Sequence, residues 1–109
     1  MNVRFDHLYR DAGNNKLWGH VVFANDRGLD VAALRARLEE HLIDGQFFPR
    51  GEGLLPPLQF PGPDDELDHG WLEYVGMAEC DEEADDVQNR DIGAFIDQVV
   101  VILEEFSGV

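Results

Sequence analysis

The sequence predicts an α+β fold, β-β-α-β-β-α, in which an antiparallel sheet packs against two helices. Three observations lead there. Strand patterns come in pairs instead of alternating singly with helices. Two segments repeat apolar residues at spacings of three and four. A short stretch rich in glycine and asparagine joins the first two strand patterns.

The elements follow in order. Residues 2–10 alternate, with Val3, Phe5, His7 and Tyr9 on one face and Arg4, Asp6, Leu8 and Arg10 on the other. That is the pattern of a half-buried strand. Gly13, Asn14 and Asn15 tolerate the positive φ of a hairpin turn. "LWGHVVFA" at 17–24 is the returning strand, rich in aromatic and β-branched residues. A turn centred on Gly13–Asn14 makes paired residue numbers sum to about 27, which sets His7 opposite His20. Asp30 suits an N-cap, with Leu29 and Leu34 as a staple. Val31, Leu34, Leu38 and Leu42 then make one helical face over about 30–43, and Gly45 is the stop. Five prolines at 49, 56, 57, 61 and 63 exclude a helix from 46–63. Leu58 and Phe60 suit a short edge strand there, with extended polyproline at "LPPL" as the alternative. Pro56 and Pro57 discourage that edge from pairing with a copy of itself, although a homodimer stays compatible with the sequence.

"WLEYVGMAE" at 71–79 reads as a central strand. Trp71, Glu73, Val75 and Met77 would share one face; Leu72, Tyr74, Gly76 and Ala78 would share the other. Residues 80–90 form a polar connector. Asp91 caps a last helix whose stripe is Ile92, Phe95, Ile96, Val99, Leu103 and Phe106. The β-branched "VVVI" at 99–102 argues for a strand, but the stripe and its length favour a helix.

A chain of 109 residues suits one domain, 1–109, and its 44% hydrophobic content supports a core without staples. Charge is lopsided: 23 acids against 8 bases give −15 with neutral histidines. Such a surface repels phosphate backbones and anionic lipid, so neither nucleic acid nor membrane is an expected partner. A basic protein or a divalent cation is favoured. The N-terminus lacks the apolar run of a signal peptide, and no stretch reaches membrane-spanning length. Cys80 is alone, which fits a reducing cytoplasm.

Between residues 51 and 89 there is no lysine or arginine, yet the stretch holds twelve acids. Solubility alone accounts for such a run. The functional reading is a surface steering a basic partner, with Trp71, Tyr74, Phe47 and Phe48 as candidate aromatic anchors; for each of these, core packing is the competing explanation. Candidate binding residues are therefore Asp64, Asp65, Glu66, Asp68, His69, Trp71, Tyr74, Asp81, Glu82 and Glu83.

Catalytic patterns are weak. "PGPDDELDHGW" at 61–71 gathers four carboxylates and one histidine, but an EF-hand started at Asp64 puts His69 at position 6 and Val75 at position 12. A start at Asp81 fails similarly, with Asp86 and Ile92. No zinc spacing occurs among His7, His20, His41 and His69. His7 and His20, if paired across the hairpin, would offer at most two ligands. Ser107 is the only serine, threonine is absent, and Cys80 lies among acids that suppress a thiolate. "RGEGLLP" at 50–56 lacks the lysine and helix of a phosphate loop. No cofactor is expected.

"YRDAGNNKLWGHVVFAN" (9–25), "LIDGQFF" (42–48) and "LPPLQFPGPDDELDHGWLEY" (55–74) together resemble a group of small acidic bacterial proteins associated with mobile gene cassettes such as those of integrons. The resemblance spans about residues 5–80. It implies a bacterial stand-alone accessory protein. That group has no established activity, so no catalytic residue carries over. The expectation is a cytoplasmic, non-enzymatic binding protein with a protein partner. One alternative is an immunity protein or inhibitor of a basic toxin or nuclease. A second is a metal-dependent hydrolase using the 64–69 loop.

Overall fold

The computed structural model describes residues 1–11, 13–50, 54–56, 58 and 71–106. It contains β1 (Asn2–Arg10), β2 (Lys16–Phe23), α1 (Val31–His41), β3 (Phe47–Pro49), β4 (Trp71–Cys80) and α2 (Ile92–Phe106). The four strands form one antiparallel sheet in the order β2-β1-β4-β3. This is the expected α+β class and element order.

Burial alternates along β1 from Asn2 to His7, and Leu8 on the opposite face is buried as well. Val3, Phe5, His7 and Tyr9 are buried, and Val3, Phe5 and Tyr9 belong to the main core. Phe95 of α2 stacks on Phe23 at 4.3 Å and meets Phe5 edge-on at 4.9 Å. Leu34 and Leu38 of α1, and Ile96, Val99 and Leu103 of α2, complete the core with Leu72, Met77 and Phe48 from the sheet. The β-branched run at 99–102 is helical, because alternating strand burial would leave half of that apolar stripe uncovered. Asp30 caps α1 by accepting from the Ala32 amide, and Asp91 caps α2 by accepting from Ala94.

Four local expectations are corrected. First, the hairpin register sums to 26: Asp6 pairs with His20, and His7 pairs with Gly19. Asp11 and Asn15 close the turn, with Asn14 at φ 65°, so an odd number of residues lies between them. A one-residue slip sends side chains to opposite faces: His7 goes inward and His20 outward. Second, the edge strand beside β4 is Phe47–Pro49, and Leu58 lies outside any strand; Phe60 falls outside the described residues. Third, α1 ends at His41, and Gly45 belongs to a separate tight turn. Asp44 and Gly45 both have positive φ there, and Ile43 and Phe47 exchange two backbone hydrogen bonds of 2.9 Å. Asp-Gly between apolar residues favours this turn. Fourth, β4 does not alternate strictly. Its pairing with β1 shifts after Asp6↔Gly76 to His7↔Tyr74, leaving Val75 as the extra residue. A bulge swaps faces along the strand, so Leu72 and Met77 are both buried.

Candidate functional site

The tight turn 43–47 borders a concavity at the β3 end of the sheet. Successive residues of β3 point to opposite faces: Phe48 is fully buried, and Phe47 stays half-buried. Pairing of β3 with β4 sets Phe47 opposite Glu73 and Pro49 opposite Trp71. The Trp71 ring meets Phe106, at the end of α2, edge-on at 4.8 Å. Ile43, Asp44, Phe47 and Trp71 line a cavity of about 390 Å³. A second recess of about 200 Å³ lies against the same two aromatic rings, lined also by Arg10, Asp11 and Glu73.

The two recesses differ in charge. Arg10 grips Glu73 through two hydrogen bonds, Nε to Oε1 at 2.9 Å and one terminal nitrogen to Oε2 at 3.3 Å. The Asp11 carboxylate accepts from the Asn15 amide at 2.9 Å. Asp44, at the larger cavity, is exposed and forms no ion pair with a described residue. What this lining offers is aromatic surface, carboxylates and one occupied guanidinium.

The sequence-derived candidates scatter. Trp71 stands in the cleft. Tyr74 packs from β4 onto Phe5, with ring centroids 5.6 Å apart, and burial pushes its hydroxyl pKa up. Asp81, Glu82 and Glu83 are exposed just past the far end of β4, about 30 Å from Trp71 at the usual strand rise. Asp64, Asp65, Glu66, Asp68 and His69 lie outside the described residues. Among the described residues, no three His, Cys, Asp or Glu side chains gather as a metal ion requires. Ile43, Asp44, Arg10 and Glu73 were not legible as site residues. The local signal for Ile43 and Asp44 is the Asp-Gly pair between two apolar runs, which equally suits a helix stop.

The stretch without lysine or arginine is not without counter-charge. Arginines from elsewhere reach into it: Arg10 to Glu73, Arg4 to Glu82 at 3.7 Å, and Arg90 to Asp86 at 2.8 Å. Asp86 is buried, and Arg90 holds its carboxyl below the ordinary range. Arg90 also donates to the Leu54 carbonyl and lies over the rings of Phe23 and Phe95. The 80–90 connector is therefore partly structural. Glu79, Asp81 and Glu83 remain exposed, without an ion pair to a described residue.

Among the described residues, no helix is long and apolar enough to cross a membrane. Comparison of the chain with protein-family models, with curated proteins and with solved structures gives no match.

Proposed function

We propose that this chain is a small acidic binding protein, non-enzymatic and acting in the cytoplasm, whose partner is a basic protein docked at the Phe47–Trp71 cleft. The accessory role implied by the resemblance to cassette-borne bacterial proteins belongs to the same proposal. The observation that carries it is the half-buried aromatic pair at a cavity of about 390 Å³, on a molecule of net charge −15. Pockets of this size with aromatic walls bury an anchoring side chain, and aromatic residues supply most of the energy at such anchors. Glu79, Asp81 and Glu83 contribute long-range attraction from the other end of the sheet. Neutralisation of a basic toxin is the special case in which that partner is a nuclease.

The test is affinity capture from the expressing cells, then titration of the identified partner against purified wild type and Trp71→Ala. The expected partner has a basic isoelectric point. Trp71→Ala should weaken it by about tenfold or more, as loss of an anchor of 1.4 kcal/mol or larger does. Affinity should also fall steeply with salt, because exposed charges are screened within about 10 Å at 0.1 M. An acidic partner, or a complex indifferent to both Trp71→Ala and salt, overturns the proposal.

A further inference from the structure

We infer that the larger cavity is a guanidinium site: Phe47 and Trp71 flank an arginine side chain of the partner, and Asp44 is its counter-ion. The inference rests on reading the cleft as the docking site, and it names the chemistry that fills it.

Asp44 sits on a well-defined turn beside the cavity. Its backbone is fixed at positive φ between the paired amides and carbonyls of Ile43 and Phe47. It lines the same cavity as Ile43, Phe47 and Trp71. An apolar group closing over that cavity would strip water from an uncompensated carboxylate, which is costly. A cation removes the penalty. The nearby guanidinium of Arg10 is already committed to Glu73 and Asn14, so it does not serve Asp44. Among cationic side chains, arginine suits the walls best. Its plane stacks on aromatic rings, it is less tightly hydrated than an ammonium, and its fork matches a carboxylate. The fold already uses this chemistry internally, with Arg50 4.5 Å above the Tyr9 ring. The cavity volume lies at the small end of ligand pockets, which suits one long side chain. The net charge of −15 draws cations toward the site.

The test uses a Trp18→Phe background. Trp18 is 64% exposed, so the change leaves the core untouched and makes Trp71 the sole tryptophan. Capped Gly-Arg-Gly peptide is titrated at low salt, alongside its lysine and citrulline counterparts, with tryptophan fluorescence as readout. Citrulline keeps the planar shape and loses the charge. The arginine peptide should bind saturably and about fivefold or more tighter than citrulline, the worth of a charge over an aromatic face. Lysine should fall between them. Asp44→Asn, which keeps a residue tolerant of positive φ, should erase the arginine preference. Equal binding of arginine and citrulline, no saturation with the arginine peptide, or an arginine preference untouched by Asp44→Asn each overturns the inference. If Trp71→Ala still breaks the partner complex in that event, the docking site stands and only its guanidinium chemistry falls.

Discussion

His7 lies on the face its sequence pattern assigns, opposite Gly19 instead of His20. Alternation along β1 puts it on the core face, and there it is, 2% exposed, with Nδ1 lacking a hydrogen-bond partner among the described residues. Phe5 and Tyr74 lie on its side of the sheet. Gly19 makes room for the ring: a methyl group there would sit 3.1 Å from Nε2. Burial depresses the His7 pKa from 6.5 to about 4, opposed by the Asp6 charge and aided by His20. A base depressed in the folded state takes its proton first in the unfolded chain. The stability at stake is whole above pH 6.5, declines below it, and is fully lost by about pH 4. At 1.36 kcal/mol per pKa unit, the loss is on the order of 3 kcal/mol. Asp86 acts in a separate window. Its lowered pKa gives stability that is present above the ordinary carboxylate range and is lost only as pH falls through the depressed value. His7→Leu should therefore flatten urea-unfolding stability between pH 6.5 and 4 relative to wild type, and leave the more acidic limb alone. Parallel profiles for the two proteins in that window would contradict this account.

At the scale of elements, the connector 81–90 shows what local reading misses. It is legible as polar and irregular, and it is irregular. Its role comes from β2, some sixty residues away. Val22 is 1% exposed at the sheet edge; its amide donates to Asp85 Oδ1 at 2.8 Å, and its carbonyl accepts from the Asp85 amide at 2.9 Å. Two residues on, Ala24 accepts from Ile92 at 2.8 Å. The connector thus covers the Val22 end of an edge that would otherwise invite pairing with another chain. Asp85→Ala strands the Val22 amide and should cost about 1–2 kcal/mol in chemical denaturation. Asp85→Asn keeps an acceptor oxygen and should retain most of the stability. Hydrogen exchange at Val22 should accelerate only in the alanine variant. An asparagine variant as unstable as the alanine one would mean the charge, not the hydrogen bond, matters. The helices were readable because each signals locally, through a cap and a stripe. The strand beside β4 is less legible: Leu58 and Phe60 alternate well, but the Asp44–Gly45 turn brings Phe47–Pro49 against β4, while most of 57–60 lies outside the described residues. Register slips and bulges leave no such mark, since both are settled by pairing between distant strands.

For the whole molecule, composition announced the charge and the fold decides where it acts. All seven arginines bond to the chain's own acceptors: Arg4, Arg10, Arg27, Arg37 and Arg90 meet carboxylates, while Arg35 and Arg50 meet the carbonyls of Met77 and Leu58. The exposed excess is therefore anionic, though distributed over both ends of the sheet, not confined to one acidic stretch. Two consequences oppose each other. Exposed ion pairs such as Arg27–Asp91 and Arg37–Asp97 weaken in salt, but each is worth at most about 1 kcal/mol. Self-repulsion of fifteen excess negative charges destabilises the compact state and is relieved by the same salt. The excess outnumbers the pairs, so repulsion wins. Raising sodium chloride from about 0.02 M to about 0.3 M, which shortens the screening length below 10 Å, should raise the melting midpoint. A gain of 1 kcal/mol corresponds to about 4–8 °C for a domain of this size. Submillimolar calcium chloride, added with sodium chloride holding the ionic strength constant, separates screening from site binding. An unchanged midpoint means diffuse screening alone. A midpoint raised by the calcium, with the rise abolished by Asp68→Ala, would assign the 64–69 carboxylates a bound ion and revive the metal-dependent alternative. A midpoint that falls with sodium chloride would show that the arginine pairs outweigh the excess, and the picture of an outward anionic field drawing a basic partner would go with it.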